Sequence, residues 1–348
     1  MKAVLVYKPD HIGDVVLLTP VLEAIRSAYP HAYVGAIVGP WSVGVLANNP
    51  HVSEVFPYTS RYMQRDNADN RTILVENRRT LHSVNAMNAD VTIVARDDYE
   101  HVLQGYIFSR GRGRLIAHVA NHSRRNLVTD AVDYAYGAHE VVRNLGLLRP
   151  LGISVPTEIS PKVYPNAESE QRARELVSDT IAKRAVCLFP GGGHPLNYWP
   201  IERFIVLGEM LAQCGWTPVY VGGASEAAML EQYSTRLEGM GASNLAGCTN
   251  ILDLAAVCRR VGRIVANDGG PMHVAAAAGA EVVALFGSSS KSFYPYGEQH
   301  TVIDHEWDCS PCPHFTYEHR ITCADNLCIK SIDIEEVWRT VQRKWQIK

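Results

Sequence analysis

Four short stretches of this chain bring together residue types that do chemistry. HIGD, residues 11–14, falls where a β-branched run, KAVLVY, gives way to a helical pattern, DVVLLTPVLEAIRSAYP. Asp14 there either caps the helix, as aspartate does well, or acts as a general base that takes the proton of an attacking sugar hydroxyl. NDGGPMHVAAAAGA, residues 267–280, puts two glycines between a strand and a small-residue helix. Backbone can approach a ligand closely at such a turn, and free helix N–H groups point at an anion such as a pyrophosphate, with His273 as a further donor. The alternative is a tight turn with a packed histidine. PGGGHPLNYWP, residues 190–200, is a second glycine loop after a strand, and GGASE, residues 222–226, ends the next strand. Glu226 there either favours the helix dipole or accepts hydrogen bonds from ribose hydroxyls. Three such loops at successive strand ends suggest a nucleotide site. None is a GxGxxG fingerprint, and no Gly-Lys-Ser/Thr follows a glycine loop, which weighs against dehydrogenase and P-loop readings.

Two further clusters stand apart. Residues 101–129 hold Arg110, Arg112, Arg114, Arg124 and Arg125 and no acid. They form either a solvated basic face or a site for an anionic acceptor or membrane surface. Near the end, Cys309, Cys312, Cys323 and Cys328 follow the pattern CSPC-(10)-C-(4)-C. This is the ligand set of a tetrahedral thiolate site for zinc or iron, with reduced thiols or disulfides as alternatives and His314 and His319 as spare ligands.

The elements that must position these residues alternate. In the first half KAVLVY, AYVGAIVG, VSEVFPY and ADVTIVAR read as strands, with helices between them and over much of residues 130–148. PLGISVPTEISPKVYP, with four prolines and no helical period, reads as the linker, placing the boundary at residues 155/156. The second half repeats the grammar: helix 169–183, strand AVCLFP, helix 201–214, strand TPVYVGG, helix 225–240, helix ILDLAAVCRRV, strand RIVAND and strand EVVALFG. Both halves are thus expected to be α/β and doubly wound. Ile334, Trp338, Val341 and Trp345 make one apolar helix face at the end, which could pack back on the first domain.

The chain has 348 residues, 47% of them hydrophobic and 20% charged, and a net charge of −3. That is enough to bury two cores, and it excludes disorder, collagen and non-specific nucleic-acid coating. The apolar runs are too short to span a membrane and the start reads as a strand rather than a secretory signal, so a cytoplasmic location is expected.

On IGDVVLLTPVLEAIRSAYP, NNPHVSEV, WPIERF, GGASE and NDGGPMHVAAAAGAEVVALFG, the sequence resembles glycosyltransferase family 9, the ADP-heptose:lipopolysaccharide heptosyltransferase family, over nearly its whole length. The resemblance implies a GT-B fold, two Rossmann-like domains facing a central cleft, the first for the acceptor and the second for an ADP-sugar donor. It implies inverting transfer without a catalytic metal, with Asp14 as the base. Donor contacts would come from Gly191, Gly192 and Gly193, from Glu226 to the ribose, from Asp268, Gly269, Gly270 and His273 to the pyrophosphate, and from Gly13 and Thr249. Relatives commonly carry a lysine where this chain has Asn197, whose amide donates a hydrogen bond but brings no charge. The acceptor could be a glycan, a lipid-linked sugar, a protein or a small molecule, with peripheral contact at the inner membrane. The rival readings are an epimerase of the UDP-sugar 2-epimerase type and a non-catalytic nucleotide-sugar binder.

Overall fold

In a computed structural model of the chain, residues 1–60, 70–119, 126–155, 158–312, 323 and 325–348 are described. They divide into two units, Met1–Val163 and Tyr164–Lys348, so the boundary falls inside the proline-rich stretch but later than the expected one.

The first unit is built on six strands: β1 (Ala3–Lys8), β2 (Tyr33–Val38), β3 (Glu54–Pro57), β4 (Val91–Val94), β5 (Arg114–Val119) and β6 (Asp130–Asp133). All pair parallel, in the order β3-β2-β1-β4-β5-β6. Every residue of β1 is buried, because helices cover both faces of a parallel sheet, and this is why its strands read as unbroken apolar runs. The second unit repeats the plan with β7 (Ala185–Phe189), β8 (Thr217–Tyr220), β9 (Ser243–Asn244), β10 (Arg263–Asn267), β11 (Glu281–Phe286) and β12 (Thr301–Asp304), ordered β12-β11-β10-β7-β8-β9. Strand order reverses direction between β1 and β4 in one sheet and between β7 and β10 in the other. Ligands of open α/β sheets bind at the carboxyl ends of such switch-point strands.

Several elements differ from the sequence reading. Residues 130–148 begin with β6 and hold only the short helix Glu140–Gly146. The expected helix 169–183 is two, Ala167–Leu176 and Asp179–Lys183, divided at Ser178, whose hydroxyl accepts the N–H of Ile181 and starts the second. The expected helix 225–240 is likewise two, Ala224–Glu231 and Ser234–Gly239.

The final helix, Ile334–Trp345, packs into the core of the second unit. Val337, Trp338, Val341 and Trp345 join Trp199, Phe204, Ile205 and Leu211 in one core. Trp345 Nε1 donates to Glu281 Oε2 at 2.8 Å, and Trp199 Nε1 to the carbonyl of Ile332 at 2.8 Å. The amphipathic face defined the need for a partner, and helix Ile201–Gln213 with its neighbours supplies one.

Candidate active site

At the switch point of the first sheet the structure gathers a set of buried and half-buried charges. Lys8 ends β1 and Asp10 follows it; Arg96 and Asp98 follow β4; Glu140 and Arg143 come from helix Glu140–Gly146. Lys8 Nζ donates to Glu140 Oε1 at 2.9 Å and to the carbonyl of Ala95 at 2.9 Å, and lies 3.3 Å from Asp10 Oδ2. Arg96 reaches Asp10 at 2.6 Å and Asp98 at 2.8 Å. Asp98 accepts the backbone N–H of His101 at 3.1 Å and pairs with its imidazole, whose Nε2 is 3.1 Å from Ser60 Oγ. Arg143 Nη1 closes the set 2.8 Å from Glu140 Oε2. Three cations thus face three carboxylates, the only inexpensive way to bury so many charges.

Asp14 is a fourth carboxylate beside this balanced set. It stands third in helix Ile12–Ala28, so the N-cap reading does not hold: His11 occupies that place and its side chain makes no capping bond. Asp14 is half-buried and its neighbour Gly13 buried. Burial first, then the charge of Asp10, pushes the Asp14 carboxyl up to about 7, with Lys8 partly opposing. Asp10 goes the other way: burial raises it, but Arg96 and then Lys8 hold it at about 2. Two carboxyls four residues apart are driven to opposite protonation behaviour, the pattern of a general base beside a structural anion. The loop between them is pinned, since Trp41 Nε1 and Ser42 Oγ both donate to the carbonyl of Asp10, at 2.8 and 2.9 Å.

In the second unit the three loops meet at the other switch point. A side chain at Gly191 would have its Cβ 2.1 Å from Glu226 Oε1, and one at Gly222 would lie 2.5 Å from Glu226 Cβ. The loops after β7 and β8 therefore close on Glu226, which is buried and accepts the N–H of Gly223 at 2.7 Å and the hydroxyl of Ser225 at 3.0 Å. Gly247 N–H donates to the carbonyl of Gly222 at 3.0 Å, holding the segment of half-buried Thr249 against the same loop. Gly269, ahead of helix Gly270–Ala277, meets the first glycine loop: its Cβ would be 3.2 Å from Gly192 Cα, and Gly193 N–H donates to the carbonyl of Asp268 at 3.3 Å. His273 is buried in that helix.

Asn197 is buried as well and belongs to a polar knot. Its amide donates to Asp268 Oδ2 at 2.9 Å and to Ser289 Oγ at 3.2 Å, its carbonyl accepts from Ser288 Oγ, and Ser289 Oγ also donates to Asp268. Burial pushes the Asp268 carboxyl up to about 6, with the Ser289 bond opposing.

Of the arginines, Arg110 and Arg112 are exposed, whereas Arg114 is held by Asp130 at 2.6 Å and by the carbonyl of Pro150 at 2.8 Å, at the amino-terminal start of β5. Arg124 and Arg125, like His314 and His319, lie outside the described residues. Cys312 and Cys328 are buried; burial, then the nearby Cys328, Cys309 and Cys323, raises the Cys312 thiol to about 11. Among the described residues no three His, Cys, Asp or Glu side chains are disposed as a metal-ligand set. The sequence reading missed Lys8, Asp10, Arg96 and Glu140, although KPD and RDD at two strand ends are charged residues where chain goes to ground. It also missed Ser288, Ser289 and Asn326, which carry no local signal.

Two parallel six-stranded sheets with the same strand order, each with helices packed on it, make the architecture of the GT-B class of glycosyltransferases. Residues 106–321 match the family described as glycosyltransferase family 9 (heptosyltransferase), and the chain belongs to that family and is a glycosyltransferase. It is 24% identical over 288 residues to lipopolysaccharide heptosyltransferase 3 of Escherichia coli K12, covering 81% of each chain. Among solved structures, the family 9 glycosyl transferase of Veillonella parvula superposes with a TM-score of 0.80 at 22% identity, over 100% of this chain and 98% of that one. The E. coli ADP-heptose lps heptosyltransferase II superposes with a TM-score of 0.74 at 22% identity, over 99% of each. Among the described residues no helix is long and apolar enough to cross a membrane.

Proposed function

We propose that this enzyme transfers a heptose, or a closely related sugar, from an ADP-sugar to an acceptor hydroxyl with inversion, Asp14 acting as general base and no metal taking part in the transfer. The observation that carries the reading is the closure of three glycine-bearing loops on Glu226 and Asp268 at one switch point. Backbone amides of Gly191, Gly192, Gly269 and Gly270, with His273, take the diphosphate and stabilise the charge that grows on it as its bond to the sugar breaks, while Gly193, whose N–H donates to the carbonyl of Asp268, shapes the turn beside it. Glu226 keeps a lone pair on each oxygen for ribose hydroxyls beyond the bonds it already makes. Gly13, Asn197 and Thr249 complete the donor contacts. Asp14 takes the acceptor proton as the hydroxyl oxygen attacks the anomeric carbon, and the pair of electrons of the broken bond leaves with ADP.

The relatives named for lipopolysaccharide support a lipid-linked saccharide as acceptor, and with it the reading takes peripheral contact at the inner membrane and the exposed Arg110 and Arg112 as anion contacts. For the tail we propose a structural zinc or iron held by Cys309, Cys312, Cys323 and Cys328. Its support is the CSPC-(10)-C-(4)-C spacing of four free cysteines, and metal analysis of reduced protein tests it. The function is tested by incubating ADP-heptose with saccharide acceptors and weighing the products. A mass increase of one heptose on the acceptor is expected, and conversion of the donor sugar without any acceptor would overturn transfer in favour of epimerisation.

A further inference from the structure

Asn326 precedes the short helix Leu327–Lys330 at the position where an asparagine ordinarily caps, yet its side chain makes no capping bond. Its amide nitrogen is turned instead to the loop after β7, donating to the carbonyl of Leu196 at 3.1 Å and to that of Tyr198 at 3.4 Å. These are the two carbonyls on either side of Asn197. Asn326 is itself buried, so its amide has no easy substitute in water for these bonds.

A second tie comes from the other side of the same chain segment. The N–H of Cys312 donates to the carbonyl of Ser288 at 2.7 Å, and Ser310 Oγ donates to the carbonyl of Gly287. A side chain at Gly287 would place its Cβ 2.9 Å from Ile329 and 3.0 Å from Cys328 Sγ, so these two residues lie directly on the backbone that follows β11. Ser288 then donates through its hydroxyl to the carbonyl oxygen of Asn197, whose amide holds Asp268. Residues 312 and 326 thus reach Asn197 by two routes, one through its flanking carbonyls and one through its own side chain.

We propose that Asn326 is a positioning residue for the donor site, and that with the Cys312–Ser288 bond it makes a two-point clamp that sets Asn197 against Asp268. The clamp is then part of how this chain shapes its diphosphate pocket with an amide. Asn326 touches no substrate; it acts through the loop. This rests on the donor reading above, and the experiment separates the two.

ADP is titrated calorimetrically into the full-length reduced protein, and KM for the ADP-sugar and kcat are measured beside it. Asn326→Asp replaces a donor by an acceptor facing two carbonyls; Asn326→Ala removes the bonds without repulsion and serves if the first variant does not fold. Expected is ADP binding weakened about tenfold and KM raised to match, the size of one or two lost neutral hydrogen bonds, with kcat changed less than about twofold. A purely structural loss would lower the folded fraction and so reduce kcat and the number of binding sites while leaving KM alone. Wild-type protein that binds ADP while both variants bind it equally well overturns the inference by itself. Wild-type protein that does not bind ADP removes the donor reading and this inference with it.

Discussion

A carboxyl group that titrates near 7 is about half ionised at neutral pH, so Asp14 can accept a proton from a hydroxyl without holding it too weakly to matter. The rate constant kcat/KM should accordingly rise with pH through about 7 on its acid limb, read from a pH–rate profile of the wild type. Asp14→Asn should lower transfer by about 10²- to 10⁴-fold, the usual weight of a general base. The same variant should be more stable than the wild type at pH 8. Because the folded carboxyl holds its proton up to about 7 while the unfolded one releases it near 3.8, wild-type stability falls as pH rises between those values. The uncharged amide escapes that loss, so the two melting temperatures should coincide below pH 4 and separate above it. Lys8→Met tests the opposite kind of residue. It takes one of two cationic partners from each of Glu140 and Asp10, leaving Arg143 and Arg96 facing one negative charge too many, and should destabilise the fold by about 3 kcal/mol in denaturant titration. Asp14 was legible in HIGD, a local motif. Its neighbours were not, because Lys8 meets Glu140 across 132 positions and Arg96 meets Asp10 across 86, and no spacing rule connects them.

Glycine loops act as elements because they let two other elements touch. Gly191→Ala would drive a methyl group into the Glu226 carboxylate, 2.1 Å away, and should abolish measurable ADP binding while leaving most of the sheet intact by circular dichroism. Gly222 is the stricter case, since its φ of 153° lies where side chains are rarely accommodated and its Cβ would meet Glu226 at 2.5 Å. The final helix shows what pattern alone leaves open. Its apolar stripe was plain at residues 334–345, but a stripe specifies a need for burial and not the surface that meets it. Trp345→Ala should cost about 3–5 kcal/mol of unfolding free energy, and with its Nε1 bond to Glu281 the loss belongs to the second unit. The helices divided at Ser178 and near Tyr233 are similar: helical periodicity runs on through a break that a capping hydroxyl or a local turn makes.

Over the whole molecule, the chain is two units with separate cores, and the proposed base and the proposed donor loops lie on different ones. Asp14→Asn should therefore bind ADP with wild-type affinity in calorimetry while losing transfer; a matching loss of ADP affinity would contradict the division of labour. The fold class was written into the sequence because parallel strands covered on both faces must be continuous apolar runs and because their turns toward ligand demand glycine, both of which are local requirements. The boundary between the units was legible for a similar reason, since prolines interrupt every helical period there. Tertiary structure alone decided which charges pair near Asp14, that Ser288 bonds Asn197 while Asn326 bonds the carbonyls of Leu196 and Tyr198, and that the last helix covers the second core. Those outcomes depend on desolvation and on contacts between residues far apart in the chain, and the energy of a buried charge or an apolar face is set by whatever folding brings against it.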